Sequence, residues 1–543
     1  MMGTKLWLGA GLAVPFAMVA LCLFRSARER MPALLMLAPL PALVACLSVS
    51  DSSQMVLPGA LLGLTFLLDE PGAMLLGSAA LLWSVSGAYA HAFLAGTAHQ
   101  GRFATWWLMT LAGNLGVFMA ADLVSFYVLF TLATLAAYGL IVHEGTSTSR
   151  RAGAVYIALA VLGEALLLMA FVLLAAGSPE GSLAIRDAVA ALPTSQWRDA
   201  ARAMLVLGFG LKIGLVPLHV WMPLTYSAAP IPAAAVLSGA AVNAGVVGLI
   251  RFLPFDAGGH DWGGALTAAG LISAFGGAAI GITQANPRTV LAYSSVSQMG
   301  LIAAALGMGL AIGNASAPQA AAFYAMHHTL AKGALFLAVG VAALTNAGRL
   351  WPVLLPAAVI ALALAGLPLT GGALAKSAIK APMGEGLAGT LATLSAITST
   401  LLMLHFVRCL TRGAHTPSTR APPELVVCWL AIAFASIAIP WVLYPAILGA
   451  SLRDALALGT FWQALWPLLV GGALFVALKQ LAQRLPQVPE GDVLAVAERA
   501  APALRKLAAA SESIDTWLRR WPVAGAFLLV LTIALAAALF GGR

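Results

Sequence analysis

The sequence predicts an all-α, polytopic membrane protein, and three observations carry that prediction. Of the 543 residues, 61% are hydrophobic and only 9% charged, whereas charged residues make up about a quarter of an ordinary soluble chain. Apolar runs of the ~20 residues that a spanning helix needs recur from one end to the other. The lysines and arginines between those runs divide unevenly between the two sides of the membrane.

Taken in order, the runs between charged or Gly/Pro-rich breaks give sixteen spans: 5–24, 31–49, 71–96, 105–121, 123–143, 153–176, 200–222, 229–255, 263–284, 290–312, 318–344, 352–378, 384–410, 425–447, 459–480 and 521–540. Span 1 has Lys5 before it, as a signal peptide would. It lacks a small-residue cleavage site and leads into Arg25, Arg28 and Arg30, so it is expected to be retained. Met55 to Leu68 is apolar but too short to cross after Pro58, and is expected to form an irregular hairpin or re-entrant piece. Residues 481–520 are polar, with a stretch from Ala503 to Trp517 patterned as an amphipathic helix lying on the bilayer. A last span at 521–543 follows.

With the N-terminus outside, eighteen of the 29 Lys and Arg residues fall on the cytoplasmic side. Seven fall outside: Lys5, Arg186, Arg198, Arg202, Lys380, Arg453 and Arg543. The net charge of +9 therefore reports orientation rather than nucleic-acid binding. Cys22, Cys46, Cys409 and Cys428 are scattered singly, which argues against an iron–sulfur or zinc site. No glycine-rich phosphate loop follows a strand-like segment. No metal and no cofactor is expected on this chain.

The charges left inside spans define the candidate site. Glu164, Lys212, Lys332 and Lys376 fall within apolar runs, with Asp122 at the start of span 5. A charge at a helix centre costs at least ~2.5 kcal/mol on insertion scales, and such groups by default mark an ion path. In span 7 Lys212 is followed by Pro217, His219 and Pro223; in span 12 Gly366, Pro368, Gly371 and Gly372 precede Lys376. Such breaks free backbone carbonyls in mid-membrane, tolerated only where they are buried or line a wet cavity. Two interrupted spans in corresponding halves point to inverted repeats, here 105–255 (spans 4–8) and 263–410 (spans 9–13). Residues 1–104 then supply spans 1–3, and 425–480 spans 14 and 15. Span 11 adds Tyr324, His327, His328 and Lys332; a spacing of four puts Tyr324, His328 and Lys332 on one face. A buried lysine that yields its proton readily suits a relay, and a histidine stacked on it suits a shuttle.

Four segments, KIGLVPLHVWMP (Lys212 to Pro223), RTVLAYSSVSQMG (Arg288 to Gly300), HTLAKGALFL (His328 to Leu337) and GLPLTGGALAK (Gly366 to Lys376), resemble in order and spacing the proton-translocating antiporter-like family. That family comprises large membrane subunits of respiratory complex I, Mrp-type antiporters and membrane-bound hydrogenases, with membrane subunits of inorganic-carbon transporters as relatives. The resemblance implies about fourteen core helices, two inverted five-helix repeats, broken spans 7 and 12, and about two further C-terminal helices. It implies a bacterial inner-membrane location and partner membrane subunits. By position it assigns relay roles to Lys212, His328, Lys332 and Lys376.

Two departures stand out. Where the family has a glutamate partnering the span 7 lysine, this chain has Thr131, and where many relatives have a span 8 lysine it has Asn243. Glu164 stands where relatives often have a small residue, so it is expected to face inward and replace the missing acid beside Lys212. The resulting expectation is a proton-moving subunit using Glu164, Lys212, His328, Lys332 and Lys376, with His219, Tyr324, His327, Asn243, Thr131 and Asp122 as further candidates. Na⁺ is a candidate counter-ion, and a soluble redox or zinc-binding protein a candidate partner. The alternatives are the membrane half of a two-component inorganic-carbon system and a non-pumping structural subunit. Residues 481–520 are expected either to brace neighbouring subunits as a lateral helix or to lie as a plain linker.

Overall fold

The computed structural model describes residues 2–47, 54–57, 63–412, 421–478 and 488–491. The chain divides into two compact units, Met1–Val488 and Pro489–Arg543, the second described only at residues 489–491. The expected span 521–543, and residues 481–520 apart from 488–491, lie outside the described part. Eleven described helices are long and apolar enough to cross a bilayer, and Lys5–Leu21 and Trp351–Ala365 are shorter apolar ones.

The chain opens with α1 (Met2–Leu21). The second span is built in pieces, α2 (Arg25–Arg30), a 3₁₀ stretch Met31–Leu37 and α3 (Leu40–Cys46), because Pro32, Pro39 and Pro41 each withhold an amide donor. The apolar stretch that follows forms an antiparallel pair, β1 (Met55–Leu57) and β2 (Leu64–Phe66), with Met55 opposite Phe66. Then come α4 (Glu70–Phe93), α5 (Gln100–Met119), α6 (Leu123–Ile141), α7 (Ser147–Gly177) and α8 (Ile185–Ala191). Asp69, Asp122 and Thr146 cap α4, α6 and α7 by accepting the backbone N–H groups of Gly72, Ser125 and Ser149.

Both lysine-bearing spans with internal Pro and Gly are broken. α9 (Arg198–Ile213) ends on Gly214 at φ 71°, the chain unwinds over residues 215–220, and α10 (Trp221–Ala228) resumes. Likewise α16 (Trp351–Ala365) ends on Gly366 at φ 103°, and α17 (Gly371–Met383) begins after a four-residue gap. Glycine meets no penalty in this left-handed region. Between the breaks run α11 (Ile231–Val236), a π-helical turn Leu237–Ala241, α12 (Asn243–Phe252), α13 (His260–Gly281), α14 (Pro287–Ile312) and α15 (Ala317–Ala343). α18 (Leu387–Arg412), α19 (Pro423–Leu448), α20 (Leu452–Ala455) and α21 (Leu458–Leu478) complete the described helices.

Burial orders these helices around an axis. The apolar windows of α15 and of the α11–α12 segment are 100% buried, against 17% for α21. The centre of the bundle therefore holds the family-like motifs, and the periphery faces outward with apolar side chains such as Phe434 and Val476. Helices α13 and α14 approach closely because both carry glycine at the contact: a Cβ on Gly270 would lie 2.5 Å from the Gly300 carbonyl oxygen. Arg251, in the last turn of α12, pairs with Asp69 at 2.8 Å and donates to the carbonyls of Val117, Phe118 and Ala120, tying off the end of α5.

Candidate functional site

In the first half the site is built on α6, α7 and α9. The long helix α7 turns Glu164 inward while its neighbours Val161 and Leu162 point outward; Glu164 is 6% exposed. Its Oε2 accepts a hydrogen bond from Thr131 Oγ1 at 2.6 Å. Lys212 lies in the last turn of α9, just before the Gly214 break, and its Nζ donates to Thr134 Oγ1 at 2.8 Å. The same ammonium stands 4.9 Å from the centre of the Phe130 ring, a cation–π contact that helps a desolvated charge. Glu164 and Lys212 line one small cavity of about 10 Å³ with Tyr156 and Trp221. They are close enough to interact electrostatically, yet no nitrogen–oxygen contact within 4.0 Å joins them. Trp221 Nε1 donates to the Leu211 carbonyl at 3.0 Å, supplying a partner to one of the carbonyls that the broken helix leaves exposed.

At the centre stands Asn243, on the first turn of α12 beside the π-helical turn. Its Nδ2 donates to Thr329 Oγ1 at 2.7 Å and to the carbonyls of Gly239 and Ala325. It thus ties α12 to α15, and the centre between Lys212 and Lys332 carries an amide where a cation was absent from the sequence. His219 is fully buried in the unwound segment, its ring 6.0 Å from that of Tyr293.

In the second half α15 carries four groups. Lys332 is fully buried and its Nζ donates to the Leu291 carbonyl of α14 at 2.8 Å. Tyr324 donates to Gln298 Oε1 at 2.5 Å, and Gln298 in turn donates to Ser399 Oγ at 3.3 Å. His328 faces the π-helical turn at Ser238, whereas His327 faces α17 at Gly372 and α19 at Ser436. The two adjacent imidazoles therefore meet different neighbours on different sides of α15. On α17, Lys376 has a buried Nζ with no hydrogen-bond partner among the described residues. It lines a cavity of about 650 Å³ whose other walls include Ser377, Lys380, Glu385, Thr390 and Gln463. Lys380 donates to Gln463 Oε1 at 2.8 Å on the exposed side.

The structure thus brings together Glu164, Lys212 and Thr131, and separately His327 and Lys376. Asp122 stands apart from both groups. Its carboxylate caps α6 through Ser125, whose hydroxyl also donates to it, and accepts from the Thr65 amide of β2 at 2.6 Å. Twelve helical residues separate it from Thr134, about 18 Å along the axis. Thr134 and Gln298 are polar contacts that sequence reading passed over. Thr134 carries a signal all the same, three residues past Thr131 and so on the same face of a helix.

Comparison with known proteins agrees with this architecture. Residues 120–402, just over half the chain, match the family described as NADH:quinone oxidoreductase/Mrp antiporter, TM. The chain is 30% identical over 392 residues to NADH-quinone oxidoreductase subunit N of Desulforudis audaxviator, covering 66% of this chain and 75% of that one. It is 29% identical over 290 residues to hydrogenase-4 component B of Escherichia coli, covering 51% of this chain but only 43% of that longer protein. In fold it is similar to a chain of the Mrp complex from Dietzia sp. DQ12-45-1b, with a TM-score of 0.67 at 23% identity, covering 88% of this chain and all of that one. Motifs, broken helices and homology agree, and the chain belongs to the NADH:quinone oxidoreductase/Mrp antiporter family of antiporter-like membrane subunits.

Proposed function

We propose that this protein is a proton-translocating subunit of a multi-subunit membrane assembly, with Na⁺ as a candidate counter-ion. The observation that carries the reading is the burial of the charged ends of three lysines and one glutamate inside the bundle, two of the lysines beside helix breaks. Charge at that depth is costly and by default functional. In this reading the Glu164–Lys212 pair senses charge in an adjoining subunit. Asn243, His328, Lys332 and His327 span the centre, and Lys376 exchanges its proton with water through the cavity rimmed by Lys380 and Glu385. The two broken helices fall in corresponding places in residues 105–255 and 263–410, which supports inverted repeats with 1–104 and 425–480 flanking them. The arginine distribution supports an outside N-terminus.

The absence of a cation at Asn243 favours a second reading, in which the chain is the ion-driven half of a two-component inorganic-carbon system. Purification from native membranes in gentle detergent, followed by mass spectrometry of the co-purifying proteins, separates the two. Redox subunits or several small antiporter subunits support the first; one large soluble zinc-binding protein supports the second. In reconstituted vesicles Lys212→Ala is expected to abolish proton flux while the complex still assembles, and unchanged flux removes Lys212 from the path.

A further inference from the structure

Thr131 and Thr134 sit three residues apart on α6, but their hydroxyls are wired in opposite senses. A hydroxyl has one hydrogen to give and lone pairs to accept with. Thr134 gives its hydrogen to the Phe130 carbonyl at 2.8 Å, so it offers lone pairs to the Lys212 ammonium. Thr131 gives its hydrogen to Glu164 Oε2, the arrangement that stabilises a carboxylate. One helix face therefore holds an anion with a donor and a cation with an acceptor. The acid stands on α7, and α6 presents a side chain to each charge.

This wiring has a consequence for the pair. Two ions in direct contact at low dielectric attract strongly and separate with difficulty. Lys212 and one oxygen of Glu164, Oε2, are instead each bonded to a neutral group that cannot titrate near neutral pH. Glu164 Oε1 is buried without a hydrogen-bond partner among the described residues, and no ion pair within 4.0 Å joins the two side chains. A small displacement of α7 against α9 then changes their coupling without breaking a salt bridge. We propose that Thr131 and Thr134 are the positioning residues of the Glu164–Lys212 pair, Thr131 orienting the carboxyl group and Thr134 the ammonium. The inference rests on the proton-transport reading for its purpose, but not for its geometry.

The test uses the full-length protein in vesicles, with infrared difference spectra after a pH jump and proton flux measured on the same samples. Glu164→Gln identifies the Glu164 bands. Thr131→Val is expected to shift those bands as a hydrogen-bonded carboxyl becomes free and Thr131→Ser to restore them, whereas Thr134→Val, which removes the weaker of the two hydroxyl contacts with Glu164, is expected to shift them less. Both valine variants are expected to lower flux by roughly ten- to a hundredfold, the worth of one hydrogen bond to a charged group, and both serine variants to recover it. Unshifted Glu164 bands in Thr131→Val overturn the proposal, as do serine variants no better than valine. If the bands shift as expected while wild-type vesicles carry no proton flux, the positioning stands and the transport reading fails.

Discussion

The two halves of the molecule treat a buried lysine in different ways. In the first, Lys212 is packed under Phe130, bonded to Thr134 and provided with a carboxylate across a cavity of about 10 Å³. In the second, no carboxylate among the described residues stands near Lys332, and Lys376 opens on a cavity of about 650 Å³ without a bonding partner among them. A membrane protein can carry an ammonium by giving it a counter-charge or by giving it water. The difference teaches that these halves, although built on the same broken-helix plan, house a buried ammonium by different means, one beside a carboxylate and the other beside a cavity. In the function proposed above, the first feels charge and the second exchanges protons.

The comparison breaks most visibly if the counter-charge is removed. Glu164→Leu leaves Lys212 uncompensated in a dry site, and losing one partner of a buried pair costs about 3–5 kcal/mol. The double variant Glu164→Leu/Lys212→Leu is expected to recover much of that loss. Lys376→Leu, whose lysine borders a cavity, is expected to change stability by less than about 1 kcal/mol. Denaturation of the purified protein in detergent reads all three together with Lys212→Leu, and a double-variant loss equal to the sum of the two single losses would show that the two groups do not interact.

Next in size is the boundary between the halves. Asn243→Lys places an ammonium where the amide now bonds Thr329 and two carbonyls, with neither a carboxylate nor a large cavity beside it among the described residues. On insertion scales the cost is about 2.5–3.5 kcal/mol. A variant as stable as the wild type would mean that the centre is wetter than its packing indicates.

How far these contrasts were legible beforehand depends on the residue. Gly214 and Gly366 ended helices where the Pro/Gly runs beside Lys212 and Lys376 led one to expect breaks, because a left-handed backbone selects glycine. The inward orientation of Glu164 followed from the cost of charge in lipid, and the structure turns it inward. Its tie to Thr131, on the preceding helix, needed tertiary packing. So did the different directions of His327 and His328, since adjacent residues on a helix point about 100° apart and nothing local says which neighbour each will meet. Asp122 illustrates the converse: an acid just ahead of an apolar helix is an N-cap signature, and here it caps α6 and anchors β2.

A smaller effect sharpens the second half of the comparison. Ala392 borders the large cavity near Lys376. Ala392→Phe reduces that volume without touching the lysine, so a path through the cavity predicts roughly tenfold less proton flux, about 1.4 kcal/mol in barrier, with thermal stability retained. Wild-type flux in a stable Ala392→Phe protein sends the proton elsewhere.

The smallest expected effect lies at the rim of the first half, where an imidazole is half-buried beside two other basic side chains. His143 follows α6 and packs edge-on against Phe103, with ring centroids 5.0 Å apart. Burial first, then the nearby Arg102 and His99, hold its imidazole down from the usual 6.5 to about 4. The folded protein therefore keeps His143 neutral while the unfolded chain takes up a proton on acidification, so this group's stabilisation is present above pH 6.5 and is lost as pH falls from there toward 4. His143→Phe removes the titrating group and keeps the aromatic contact. Its melting temperature is expected to fall less between about pH 7.5 and pH 5 than that of the wild type, by a few degrees at most. If both proteins lose stability in parallel over that interval, His143 takes up its proton alike in the folded and unfolded states, and partial burial beside Arg102 and His99 does not keep this imidazole neutral.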